Sequence, residues 1–76
     1  MDDDEYLQTP EGMTSAAALI KYLSPGTTTS AKSIRRKWSQ LPSDRRRIVQ
    51  ALFRRKERTG TALDARERRV YSAING

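Results

Sequence analysis

Residues 43–58 read SDRRRIVQALFRRKER, and the way this stretch folds decides the architecture. Ile48, Val49, Leu52 and Phe53 recur at i, i+1, i+4 and i+5, an apolar arc along one side of a helix from Asp44 to about Arg58. Pro42 closes whatever precedes it, Ser43-Asp44 offers a cap and a negative first turn, and Gly60 offers a C-terminal stop.

Outward from this helix, the same 3.6-residue period appears on both sides. Ala16, Leu19, Ile20 and Leu23 mark an earlier helix that starts either at Thr9-Pro10-Glu11 or, given Gly12, at Thr14 or Ser15. Ser24-Pro25-Gly26 ends it, and Thr27 to Ser30 supplies N-caps for a helix over Ala31–Leu41. Ile34, Trp38 and Leu41 form the inner stripe of that helix, with Trp38 expected at the centre of the core. Thr61-x-x-Asp64 resembles a capping box for a last helix from Ala62 to about Ile74, which buries Leu63, Val70 and Ile74 beside Tyr71. No stretch alternates with period two for long enough to make a strand. The expected fold is all-α, a bundle of four short helices in a single domain over residues 9–76, behind a flexible acidic tail at residues 1–8.

Charge is unevenly spread. Asp2, Asp3, Asp4, Glu5 and Glu11 give −5 over residues 1–12, while the other four acids and all fifteen bases give +11 over residues 13–76, for a total of +6. A cationic body this dense suits a polyanion, and nucleic acid is the commonest one. The acidic leader reads first as a solubilising segment. A sharper reading folds Asp2 to Glu5 back onto the arginine surface, in competition with nucleic acid.

Several function classes drop out of the expectation. The chain has no His and no Cys, so the usual zinc ligands, nucleophiles and general bases are missing, and neither catalytic nor metal nor cofactor residues are assigned. Thr29-x-x-Lys32 shares the spacing of Ser-x-x-Lys hydrolases, a match expected by chance in a chain too small to close a pocket around it. No apolar run approaches the roughly 20 residues of a membrane span, so no membrane partner is expected. The expected setting is cytoplasmic or nucleoid-associated. A chain of this size buries only about 60% of its unfolded surface, and a homodimer is one way to add burial.

Two surfaces compete for the partner. With Ile34, Trp38 and Leu41 turned inward, Lys32, Ser33, Arg36, Ser39 and Gln40 point outward and Arg35 and Lys37 flank the seam. Long cations, a Gln and small hydroxyls are what phosphate and base-edge recognition uses. An Ala-rich helix, a turn and this basic helix, about residues 14–41, resemble the pair of a helix-turn-helix, although the connection Ser24–Thr29 exceeds the usual turn of about 3–4 residues. The second surface is the third helix, where Arg47, Arg54 and Arg58 form a stripe with the small Ala51 between them, widened by Arg46 and Arg55. Such a row suits a phosphate strand or an acidic protein face. In the fourth helix Asp64 and Glu67 sit among Arg66, Arg68 and Arg69, which reads as ordinary surface pairing.

The expected function is a small regulatory or architectural DNA-binding protein, with double-stranded DNA favoured over RNA. The alternative is an adaptor or inhibitor that docks its arginine stripe on an acidic surface of a larger partner such as a nucleic-acid enzyme. Short, Cys-free, highly charged chains of this kind suit a phage or plasmid.

Overall fold

Thr9, Pro10 and Gly12 start the first long helix through one local arrangement. The Thr9 side chain accepts the Gly12 backbone N–H at 3.0 Å, and Pro10 occupies the first turn, where a missing N–H costs nothing. Of the two starts offered by the sequence, the earlier one is used. The computed structural model describes residues 2–26 and 28–75, which form five helices and no strand. They are α1 (Asp3–Leu7), α2 (Pro10–Leu23), α3 (Ala31–Gln40), α4 (Ser43–Thr59) and α5 (Ala65–Asn75). The expected all-α bundle is present, with its four long helices as α2–α5.

Leu19, Ile20 and Leu23 of α2, Ile34 of α3, Val49 and Phe53 of α4, and Val70 and Ala73 of α5 form one buried cluster. Leu23, Ile34, Val49 and Val70 are its most enclosed apolar side chains, one from each long helix. Each lies on the stripe that helical periodicity selects. Trp38 is not the central residue: it is half-buried and packs against the cluster from the side. The most enclosed positions are filled by the aliphatic side chains of Leu23, Ile34, Val49 and Val70 instead.

The flexible-tail expectation for residues 2–8 is corrected. Asp2 caps α1 by accepting the Glu5 backbone N–H at 2.8 Å, and Leu7 is only 2% exposed. Leu7 joins Ala16 of α2 and Ala51 of α4 in a second cluster, with Ile48 and Leu52 bridging to the first. Gly12 permits this packing, since a Cβ there would stand 1.8 Å from the Tyr6 carbonyl oxygen. Thr9 Oγ1 donates to that same carbonyl at 2.6 Å, and the Tyr6 hydroxyl meets the Ser15 hydroxyl at 3.0 Å. Five residues cannot hold a helix alone in water. Here a buried leucine and the corner into α2 hold it.

Two caps also differ from expectation. Pro42 occupies the N-cap position of α4 and no side chain caps it, so Ser43 is the first residue of the helix. The last helix begins at Ala65, because the reciprocal capping pair is Asp64 with Glu67 rather than Thr61 with Asp64. Glu67 N–H donates to Asp64 Oδ1 at 2.8 Å and Asp64 N–H donates to Glu67 Oε1 at 2.9 Å. Gly60 ends α4 as expected, with φ 72° in the left-handed region, while Thr61 N–H reaches back to the Lys56 carbonyl at 2.8 Å.

Candidate nucleic-acid interface

The outer face of α3 is built by its N-cap and by Ile34. Ser30 accepts the Ser33 backbone N–H at 3.1 Å, which sets the phase of the helix, and the burial of Ile34 fixes which side turns out. Lys32, Arg35, Arg36, Ser39 and Gln40 are then exposed, and Ser33 and Lys37 are half-buried. No acid interrupts the helix.

Lys37 is largely committed to the fold. Its ammonium donates to the Tyr22 carbonyl at 3.0 Å and lies 5.1 Å from the centroid of the Tyr22 ring, so it caps the end of α2 with both a charge and a cation–π contact. Gln40 is exposed but stands on the α2 and α4 side, where it lines a broad groove with Tyr22, Pro42 and Arg45. The expected set Lys32, Ser33, Arg36 and Gln40 therefore shares one side of the helix, with Ser33 half-buried and Gln40 at the end nearest α2 and α4.

The neighbour that matters for α3 is α5, the helix it contacts most extensively. A shallow groove of about 420 Å³ runs between them, lined by Ala31 and the buried Ile34 of α3 and by Ala65, Arg68, Arg69 and Ser72 of α5. Arg69 Nη1 reaches the Thr29 carbonyl at 3.5 Å and Arg66 Nη2 reaches the Pro25 carbonyl at 3.4 Å, both long contacts that leave most of each guanidinium in solvent. The surface pairing expected within α5 is corrected. Glu67 is 6% exposed, and both of its oxygens lie 2.6 Å from the Lys56 ammonium on α4. Asp64 is used as the cap. Arg66, Arg68 and Arg69 thus take no part in the ion pairs among the described residues, which are Lys56–Glu67 and Arg58–Asp4. The sequence signal for this was Asp64-x-x-Glu67, a capping box that buries Glu67 and ties the exposed Asp64 carboxylate to the helix start.

The arginine stripe of α4 is not continuous. Ala51, expected as its exposed gap, is 6% exposed beneath Leu7 of α1. The small residue is covered by the chain's own Leu7 and Ala16. Arg58 donates from Nη2 to Asp4 Oδ1 at 2.7 Å. Arg55 is half-buried with its Nη1 enclosed and lacking a hydrogen-bond partner among the described residues, and Arg46 is half-buried too. Of the expected stripe, Arg47 and Arg54 stand exposed outside the ion pairs of the described residues, next to the exposed Arg45. The Arg58 guanidinium, by its hydrogen bond first and its charge second, holds the Asp4 carboxyl below the usual range, with the Arg55 charge adding to the effect.

Among the described residues no group of three metal-ligating side chains comes together, and no helix is long and apolar enough to cross a membrane. Compared with known proteins, the chain matches no family model, no curated protein and no solved structure.

Proposed function

We propose that this protein binds nucleic acid, double-stranded DNA before RNA, through the joined outer faces of α3 and α5, in a regulatory or architectural role. The supporting observation is charge segregation across two packed helices. Lys32, Arg35 and Arg36 of α3 and Arg66, Arg68 and Arg69 of α5 are exposed, while the acids of α5 are spent on its cap and on Lys56. Cations kept free of acids repel one another, and phosphate oxygens relieve that repulsion while releasing counterions from the polymer. Lys32, Arg35 and Arg36 are the residues for the groove. The α5 arginines suit the flanking phosphates.

The second reading, an adaptor for an acidic protein face, is favoured by one contact. The acidic helix α1 already seats on α4 through Asp4 and Arg58, so this face accepts a negatively charged helix. Titration of the full chain with labelled duplex DNA and duplex RNA at two salt concentrations separates the readings. If four to six phosphates are neutralised, affinity should fall by about 10²- to 10³-fold between about 50 and 200 mM salt. Undetectable binding to either duplex at the lower salt would reject the first reading. A stoichiometric acidic protein partner that survives nuclease treatment would establish the second.

A further inference from the structure

The one tryptophan of the chain, Trp38, half-buried on α3, lines a cleft of about 250 Å³ between α3, α4 and α5. Phe53 and Tyr71 line it too, with ring centroids 5.3 Å apart at 89°, an edge-to-face pair that fixes the Tyr71 ring while leaving that residue 43% exposed. Three aromatic residues far apart in sequence therefore border one solvent-open space. The polar lining is equally specific. Gln50, Arg54 and Glu57 rise from the exposed side of α4 at spacings of four and three, so they stand in one row along the cleft. Arg54 and Glu57 share no ion pair in spite of that spacing.

We infer that this cleft takes one unpaired nucleobase of a single-stranded or locally opened nucleic acid. The base would stack against Trp38 or Tyr71, present its edge to Gln50 and Glu57, and place its phosphate at Arg54. The chemistry is that of a base site: an aromatic wall for the π-face, an amide that both donates and accepts, a carboxylate that accepts from an exocyclic amine, and a guanidinium for the backbone. The small volume suits a single heterocycle rather than a larger ligand. Glu57 gives the site a direction, because it repels phosphate from its own end and rewards adenine or cytosine over thymine. Arg35, one turn before Trp38 on α3, continues the cationic path from the α3–α5 face toward the cleft. The inference rests on nucleic-acid binding as proposed above and adds the state of the strand and the class of base.

The test titrates the full chain with end-labelled single strands of about a dozen nucleotides, oligo(dA), oligo(dC) and oligo(dT), an abasic strand of equal length, and a matched duplex. Label anisotropy reads binding, and Trp38 fluorescence reads the cleft. Oligo(dA) and oligo(dC) are expected to quench Trp38 and to bind about fivefold or more tighter than the abasic strand, the scale of one stacked base, with oligo(dT) weaker than both. Gln50→Ala, on an exposed helix position, should weaken oligo(dA) binding, leave abasic-strand binding unchanged and retain full helicity. Tyr71→Leu checks the stacking wall in the same way. Duplex binding with no Trp38 response to any strand would overturn the base site and leave the duplex reading standing. Equal affinity for oligo(dA) and the abasic strand would overturn it as well. Failure of every strand and of the duplex to bind would remove both.

Discussion

Arg58 and Asp4 meet at 2.7 Å across 54 residues of sequence, and this contact ties the acidic start of the chain to the arginine-rich helix α4. It sits beside the burial of Leu7 over Ala51, so the polar and apolar sides of α1 are satisfied by the same neighbour. Both partners are partly exposed, which makes the ion pair a modest contributor next to the leucine.

The pair has a defined pH dependence. Because the Asp4 carboxyl is held below its ordinary value in the folded chain, it adds stability above the unfolded value of about 4 and loses that contribution as pH falls through its lowered folded value. Asp4→Asn should therefore melt slightly below the parent at pH 7 and level with it near pH 2. An undiminished difference at the lower pH would assign the effect to something other than the charge.

The same contact predicts competition for nucleic acid. Asp4→Asn should tighten duplex binding at low salt and change it little at high salt, since screening already weakens the internal pair. Deleting residues 1–8 is the poorer test, because it also strips Leu7 from Ala16 and Ala51. Equal low-salt affinities for Asp4→Asn and the parent would show that α1 does not compete.

Gly12→Ala should destabilise the docking of α1 by about 1–3 kcal/mol, the usual scale of overpacking, because the new Cβ collides with the Tyr6 carbonyl. Gly26→Ala is the control, with its nearest atom at an ordinary 3.8 Å. Thermal melts of the two variants, with limited proteolysis near residue 8, measure the contrast. A stable Gly12→Ala variant with a protected N-terminus would rule out the close α1–α2 corner.

Lys56→Ala should cost about 2–4 kcal/mol, near the low end for breaking an enclosed ion pair, since Lys56 keeps some solvent contact while Glu67 keeps almost none. Glu67→Gln should cost less, because the amide carbonyl can still accept the Asp64 N–H and the charge left unpaired, on Lys56, keeps some solvent contact. Denaturant melts of both variants give the order. The reverse order would mean that the capping role of Glu67 needs its charge.

Arg36→Ala and Arg69→Ala should each weaken duplex binding and lower the salt slope by about one, with helicity retained. Arg58→Ala, whose guanidinium is already paired with Asp4, should change the slope less. An unchanged slope for both Arg36→Ala and Arg69→Ala would move the interface away from the α3–α5 face.

Periodicity alone located α2 to α5, because each long helix buries a stripe at spacings of three and four that ordinary residue types reveal. Leu23, Ile34, Val49 and Val70 are legible this way, and Gly60 declares the end of α4 through a backbone conformation that other residues rarely adopt. Helix α1 is not legible in the same way, since a five-residue helix has no stripe and its acidic residues look solvated. Its order comes from one leucine, one glycine-permitted corner and one distant arginine.

The candidate surface divides along the same line. The cationic outer face of α3 follows from its own sequence, given which side Ile34 buries. The packing of α3 on α5, which sets Arg68 and Arg69 beside Ala31 and Ile34, the removal of Glu67 to Lys56 and the covering of Ala51 by Leu7 are pairings between helices. Local sequence sets which side of a helix is apolar and how its ends are capped, because those terms act within a few residues. Which charges are left for a partner is decided only when helices pack, because an acid close to an arginine in sequence can be turned toward a lysine on another helix.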